Sequence, residues 1–148
     1  MPPKVSVVIP VYNVGKQLEK CLDSVVAQTF PDIEIIVVND GSTDNSPEII
    51  ARYADKDSRI VVIDKSNEGL AYARKSGIEA AQGEYIQHLD GDDFLEPDAI
   101  ELLYNKAIED AADMVVFPFW FDYVDEKKKR SSRPAPVSYT HLTLPTIL

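Results

Sequence analysis

Apolar residues along this chain follow two rhythms. Unbroken, largely β-branched runs occur at VSVVIPV (5–11) and IEIIVVN (33–39). Such runs read as strands buried on both faces, as in a parallel sheet. Elsewhere the apolar positions fall three and four residues apart, the spacing of an amphipathic helix. Leu18, Cys21, Leu22, Val25 and Val26 predict a helix over 16–28, ended by Phe30-Pro31-Asp32. After a polar turn at 40–44, Asn45 or Ser46 is expected to cap a helix with Pro47 in its first turn, running to about Ala54. Residues 60–64 predict a short third strand. Leu70, Ala73, Gly77, Ile78 and Ala81 predict a further helix stopped by Gly83, and residues 85–89 a fourth strand. Pro97 then starts a helix carrying Ile100, Leu103, Ala107, Ile108 and Ala111, and the apolar run 114–121 predicts a fifth strand. No internal repeat is visible. Strands alternating with helices predict an α/β, Rossmann-like fold with a mostly parallel sheet and right-handed crossovers. Ligands bind such sheets at the carboxyl ends of the strands, so the turns after strands one, two and four are expected to converge on one cleft.

The fourth strand stops at Asp90-Gly91-Asp92-Asp93. Carboxylates one residue apart at the end of a buried strand repel each other and lose water. A divalent cation between them turns that repulsion into coordination. All-oxygen ligands suit Mg²⁺ or Mn²⁺, held by one or two carboxylates and the phosphates of a substrate. Gly91 lets the backbone turn between the acids. This is the pattern of a metal–diphosphate site.

Composition narrows the choice. The 148 residues suffice for one domain with a core. The 25 acidic and 15 basic residues give a net charge of −10, which argues against a nucleic-acid partner. The single cysteine, Cys21, excludes an internal disulfide and is assigned to core packing. No apolar run reaches the length of a membrane span and no leader precedes Val5, so a cytoplasmic domain is expected. His88 is read as a core residue.

A lone D-x-D is weak evidence, but here it follows VSVVIPVYN (5–13), VVNDGSTDNS (37–46) and NEGLAYARKSGIEAAQGEY (67–85), and closes in LDGDD (89–93). The set, in this order and spacing, resembles the nucleotide-binding half of family 2 glycosyltransferases of the GT-A fold. The resemblance runs from Lys4 to about Phe121. It implies a nucleotide-diphospho-sugar donor, a UDP-sugar first, and a glycan, lipid or protein acceptor. It implies transfer with inversion, dependence on Mn²⁺ or Mg²⁺, and a place at the inner face of the membrane. By resemblance, Asp40 serves the uracil end of the donor, and Pro10, Tyr12 and Asn13 lie over the base. Asn67, Gly69 and Arg74 line the nucleotide site with Asp90 and Gly91. Asp92 is the direct metal ligand; Asp90 holds ribose or a water on the metal and is the second candidate ligand. Asp93 is a supporting acid or a helix-start charge. Each has a plainer alternative: Asp40 as a helix cap, Tyr12 as core, Arg74 in an ion pair with any nearby acid.

The family's carboxylate base and its later Gln and Arg-Trp motif find no match after Met114, and Trp120 does not fit it. The catalytic base is therefore expected beyond residue 136, and this chain is expected to bind donor but turn over little or nothing. A domain cut there exposes a sheet edge and an apolar face, so poor solubility is expected. The division expected is 1–123 for the donor-binding domain, 124–136 for a polar segment containing DEKKKRSSR, and 137–148 for a non-native tail. Read back into codons, VSYTHLTLPT (137–146) resembles the transposase-end and adapter DNA used to prepare sequencing libraries. Two other readings compete. A nucleotidyltransferase needs a glycine-rich basic loop after its first strand, which VYNVGK (11–16) lacks. A non-catalytic nucleotide-sugar-binding module requires the tail to be native.

Overall fold

The computed structural model describes residues 1–117 and the backbone of 137–139. The chain divides into two compact units, Met1–Glu101 and Leu102–Leu148. The first contains strands β1 (Val5–Val11), β2 (Ile33–Asp40), β3 (Ile60–Lys65) and β4 (Tyr85–His88). Between them lie helices α1 (Gly15–Val26), α2 (Ser46–Ala54) and α3 (Leu70–Ala80). Helix α4 (Ala99–Glu109) begins at its end. The four strands form one parallel sheet in the order β3-β2-β1-β4. The doubly apolar runs thus take the two central positions, where β1 is buried throughout and Ile35, Ile36, Val37 and Val38 of β2 are fully buried.

Register places Val8 beside Ile36 on one side and His88 on the other. Val8, Ile36 and Val38 share a face and pack against Ala73 of α3. A Cβ on Gly77 would come within 2.3 Å of Val8 Cγ1, so the missing side chain is what lets α3 lie directly on β1. Helix α1 buries Leu18, Cys21, Leu22 and Val25 of the stripe read from the sequence, with Gly15 added, while Val26 is half-buried and the helix ends there rather than at Gln28. Its end is tied to the start of α4 by Gln28. The Gln28 Nε2 donates to the Ser24 and Glu96 carbonyls at 2.9 and 2.7 Å, and its Oε1 accepts from the Ile100 amide at 3.0 Å.

Several expectations change. Strand β4 is half-buried rather than buried, because it has a neighbour only on its β1 side among the described residues. Asn45 occupies the cap position of α2 without a side-chain cap bond; Asp44, one residue earlier, takes the Ser46 amide at 2.9 Å instead. Helix α3 ends at Ala80 with Ala81 extended. Gly83 is needed because a Cβ there would meet the Ser6 amide at 2.6 Å. Among the described residues of the last apolar run, Met114–Val116 form a strand, β5, which pairs antiparallel with Val137–Tyr139, β6, in a separate two-stranded sheet; residues 118–121 lie outside the described residues. A short strand whose edge is free takes whichever segment returns to it. Trp120, the charged segment 125–133 and residues 140–148 lie outside the described residues. Among those described, no helix is long and apolar enough to cross a membrane.

Candidate active site

All the candidate residues lie at the carboxyl end of the four-stranded sheet. Two turns there, after β1 and β2, are locked together. Asn13 has a left-handed backbone, φ 51°, a conformation asparagine tolerates better than most residues. Its Oδ1 accepts from the Thr43 and Asp44 amides at 2.7 and 3.2 Å. Its own amide donates to Ser42 Oγ at 3.1 Å. The Gly15 amide donates to Asp44 Oδ2 at 2.9 Å. Slight burial works upward on the Asp44 carboxyl, but hydrogen bonds from Ser46 and Gly15 outweigh it and hold the group below its usual range.

Asp40, 2% exposed, fixes the next loop. Its Oδ1 accepts from the Glu68 amide at 3.0 Å and its Oδ2 from the Gly69 amide at 2.9 Å. Asn39 Nδ2 donates to Asp64 Oδ1 at 2.8 Å alongside. Gly69 has φ 96°, with open space where its Cβ would be. The loop 67–69 is thus held from beneath by a carboxylate while its glycine faces outward. A ligand can approach that backbone closely.

The turn after β4 is different. The Leu89 amide still bonds Val8 as strand, at 3.0 Å, and the Asp93 amide closes the turn on the Asp90 carbonyl at 2.9 Å. A Cβ on Gly91 would meet Val14 Cγ2 at 2.9 Å and the Pro10 carbonyl at 3.2 Å, so this turn sits against the one after β1. Asp90, Asp92 and Asp93 each place a carboxylate oxygen within 4.8 Å of the others. Burial, then the charges of Asp92 and Asp90, push the Asp93 carboxyl above its usual range. Arg74 Nη2 donates to Asp90 Oδ1 at 2.8 Å. The Arg74 Nε and His88 Nδ1 are buried without hydrogen-bond partners, and burial, followed by the Arg74 charge, pushes the His88 imidazole below its usual value. From below, Cys21 Sγ donates to the Asp90 carbonyl at 3.5 Å. Burial and the charges of Asp93, Asp92 and Asp90 push that thiol up to about 12, so it stays protonated and inert. Three oxygen donors in this space are hard and anionic, the kind that suits Mg²⁺ or Mn²⁺. The chain's own residues therefore fit a divalent cation.

A family model for glycosyl transferase family 2 matches residues 6–146. The chain belongs to that family. Similar proteins include the glycosyltransferase GlyA of Streptococcus pneumoniae, 48% identical over 76% of this chain and 16% of that protein. The uncharacterized glycosyltransferase EpsJ of Bacillus subtilis is 44% identical over 86% of this chain and 37% of its own length. This chain thus spans well under half of these relatives. Among solved structures, S. aureus TarS 1–349 in complex with UDP-GlcNAc matches with a TM-score of 0.71 at 30% identity, over 77% of this chain and 33% of that one. A Pyrobaculum calidifontis mannosyltransferase in complex with GDP-Man and Mn²⁺ matches at 0.64 and 29% identity, over 76% and 33% of the two chains. The α/β architecture of this family 2 member is accordingly that of GT-A glycosyltransferases.

The structure brings Pro10, Asn13, Asp40, Asn67, Gly69, Arg74, Asp90, Gly91 and Asp92 to one end of the sheet, with Tyr12 half exposed beside them at 51%. Their present partners differ. Asn13 and Asp40 spend their side-chain oxygens on backbone amides, whereas the outer carboxylates of the acid turn face one another. Asp93 lies six residues before α4, too far to act on its first turn. Sequence reasoning missed Ser42 and Asp44 as the fastening of the first two turns, although Ser and Asp in a post-strand turn are the types that bond nearby amides. A groove between α1 and α2 is lined by Glu19, Asp23, Arg52 and Tyr53 among others, and these side chains pair with one another. Arg52 pairs with Glu19, and Tyr53 Oη donates to Asp23 Oδ1 at 2.5 Å.

Proposed function

We propose that this chain is the donor-binding part of an inverting glycosyltransferase. The donor is a UDP-sugar and the acceptor a hydroxyl group of a glycan, lipid or protein. The observation that carries the reading is the acid trio with Arg74 beside it, at the carboxyl end of the parallel sheet. Asp92 and Asp90 would hold a divalent cation, Mn²⁺ or Mg²⁺, which supplies Lewis-acid stabilisation to the departing diphosphate. Asp93 adds negative charge to the same pocket. Arg74 offers a guanidinium to the diphosphate oxygens, and the outward Gly69 backbone and Tyr12 flank the nucleoside. Asp40 acts by holding loop 67–69 in place, and its position at the end of β2 supports a role at the nucleoside end of the donor.

In the transfer the acceptor oxygen forms a bond to the anomeric carbon as the bond from that carbon to the diphosphate oxygen breaks. UDP carries away the electron pair, and the acceptor proton passes to a carboxylate base. We place that base in the part of the longer relatives that this chain does not span, so the chain alone binds donor and turns over little. The likeness of residues 137–146 to translated adapter DNA supports reading 137–148 as a non-native tail. The family resemblance supports a place in the cytoplasm, peripheral to the inner face of the cell membrane, and the net charge of −10 supports no nucleic-acid partner. Calorimetric titration with UDP and GDP in excess Mn²⁺ tests the donor. UDP should bind about tenfold more tightly or better, as expected when a site pairs with one base and leaves polar groups unmatched for the other. Failure of both nucleotides to bind would remove the reading.

A further inference from the structure

The ion pair between Arg74 and Asp90 sets up a competition. Arg74 Nη2 holds Asp90 Oδ1 at 2.8 Å, with the two side chains 34% and 38% exposed. The contact uses one corner of the guanidinium, and the neighbouring Nε is buried without a partner. A one-point contact is weaker than the forked pairing arginine makes with two oxygens. Asp90 is also a member of the acid trio. Helix α3 is packed on β1 at Ala73 and Gly77, which anchors the Arg74 backbone and leaves its long side chain as the part able to change partner. On the same face His88 Nδ1 is buried and unpartnered too, so the polar seam between α3 and β4 is incompletely satisfied in this arrangement.

We propose that Arg74 couples cation to nucleotide: it holds Asp90 against a bare divalent cation and is released to the diphosphate when both arrive together. The proposal rests on the donor-site reading above. A cation that takes Asp90 as a ligand competes with the guanidinium for that carboxylate, which weakens its binding. With a diphosphate present, the displaced guanidinium gains two phosphate oxygens in exchange, and the loss is recovered. Cation and nucleotide then tighten each other's binding by the same factor, as linkage requires. Bare metal thereby binds more weakly than metal that arrives with a donor.

The test uses the 148-residue chain, with free Mn²⁺ read by electron paramagnetic resonance and UDP binding at saturating Mn²⁺ read by calorimetry. In R74Q, Mn²⁺ alone should bind about threefold more tightly, the scale of a partly exposed ion pair. UDP in saturating Mn²⁺ should bind about tenfold more weakly, the scale of a lost charged hydrogen bond. R74K keeps the charge but not the fork, so Mn²⁺ alone should bind as in the parent and UDP more weakly. Mn²⁺ affinity in R74Q at or below the parent's overturns the coupling. If the parent binds Mn²⁺ and UDP and R74Q leaves both unchanged, the coupling falls while the donor site stands. If the parent binds neither, both fall together. Should R74Q lose the parent's circular-dichroism spectrum, R74K decides: weaker UDP at unchanged Mn²⁺ supports the coupling, and unchanged UDP overturns it.

Discussion

Two groups of polar turns lie side by side at the same end of the sheet and have been solved in opposite ways. In the paired turns after β1 and β2, Asn13, Ser42 and Asp44 meet backbone amides across the gap, at distances from 2.7 to 3.2 Å. In the turn after β4, three carboxylates crowd within 4.8 Å, and one of them, Asp93, has its carboxyl pushed up by burial and by its acidic neighbours. The first arrangement spends its polar groups on the fold. The second pairs Asp90 with Arg74 and otherwise sets like charges against one another, which opposes folding; on the proposed reading a cation offsets that cost. Polar residues at strand ends are therefore sorted less by type than by whether their partners are internal. Asp40 belongs with the first group by its contacts and with the second by its position.

Substitutions should separate the two turns. The largest effect is expected from Asp92→Asn. It should weaken Mn²⁺-dependent UDP binding about 100-fold or more, since a charged oxygen donor is lost. The thermal midpoint should stay level or rise, because a repulsive charge goes with it. A fall in both would place Asp92 among the fold's own supports. Asn13→Ala should do the reverse, lowering stability in urea by about 2 kcal/mol through lost acceptors and a strained φ. Asn13→Gly, which relieves the backbone, should cost about 1 kcal/mol less. An Asn13→Ala variant as stable as the parent would refute the fastening role.

Smaller effects come from one place remote from these turns and one beneath the acid turn. Asp57 is gripped by Arg59 Nε and Nη2 at 2.7–3.2 Å, and Arg59's hydrogen bond holds its carboxyl below the usual range. A depressed folded value means the pair's stabilisation is present above the unfolded value of about 3.9. It is lost as pH falls through the folded value. Urea midpoints at pH 7 and pH 3 should therefore fall less in Asp57→Asn than in the parent. The smallest effect concerns Cys21, buried and pushed up to about 12. It should stay unreactive toward a thiol reagent at pH 8 until urea unfolds the chain; rapid labelling of the native protein would contradict its place beneath Asp90.

Much of this was legible in the sequence. The runs at 5–11 and 33–39 announced the two central strands because burial on both faces leaves no polar alternation. The stripe Leu18, Cys21, Leu22, Val25 announced α1 for the complementary reason. The acid turn stood out because nothing in folding favours it. What could not be read depended on contacts distant in sequence. Asp40 is committed to amides 28 and 29 residues away, and Asn13 to amides 30 and 31 away. The half-burial of β4 and the antiparallel pairing of β5 with 137–139 reflect which neighbours a strand meets, which local pattern does not encode.

The most direct test of the account is crystallographic. Crystals of the chain grown with UDP and Mn²⁺ should show one anomalous peak at the manganese edge, bound by Asp92 or Asp90 and in contact with the UDP diphosphate. The Asn13–Thr43 and Asn13–Asp44 hydrogen bonds should be unchanged. A peak bound elsewhere, or UDP seated with no metal at the acid turn, would contradict the assignment of the two turns.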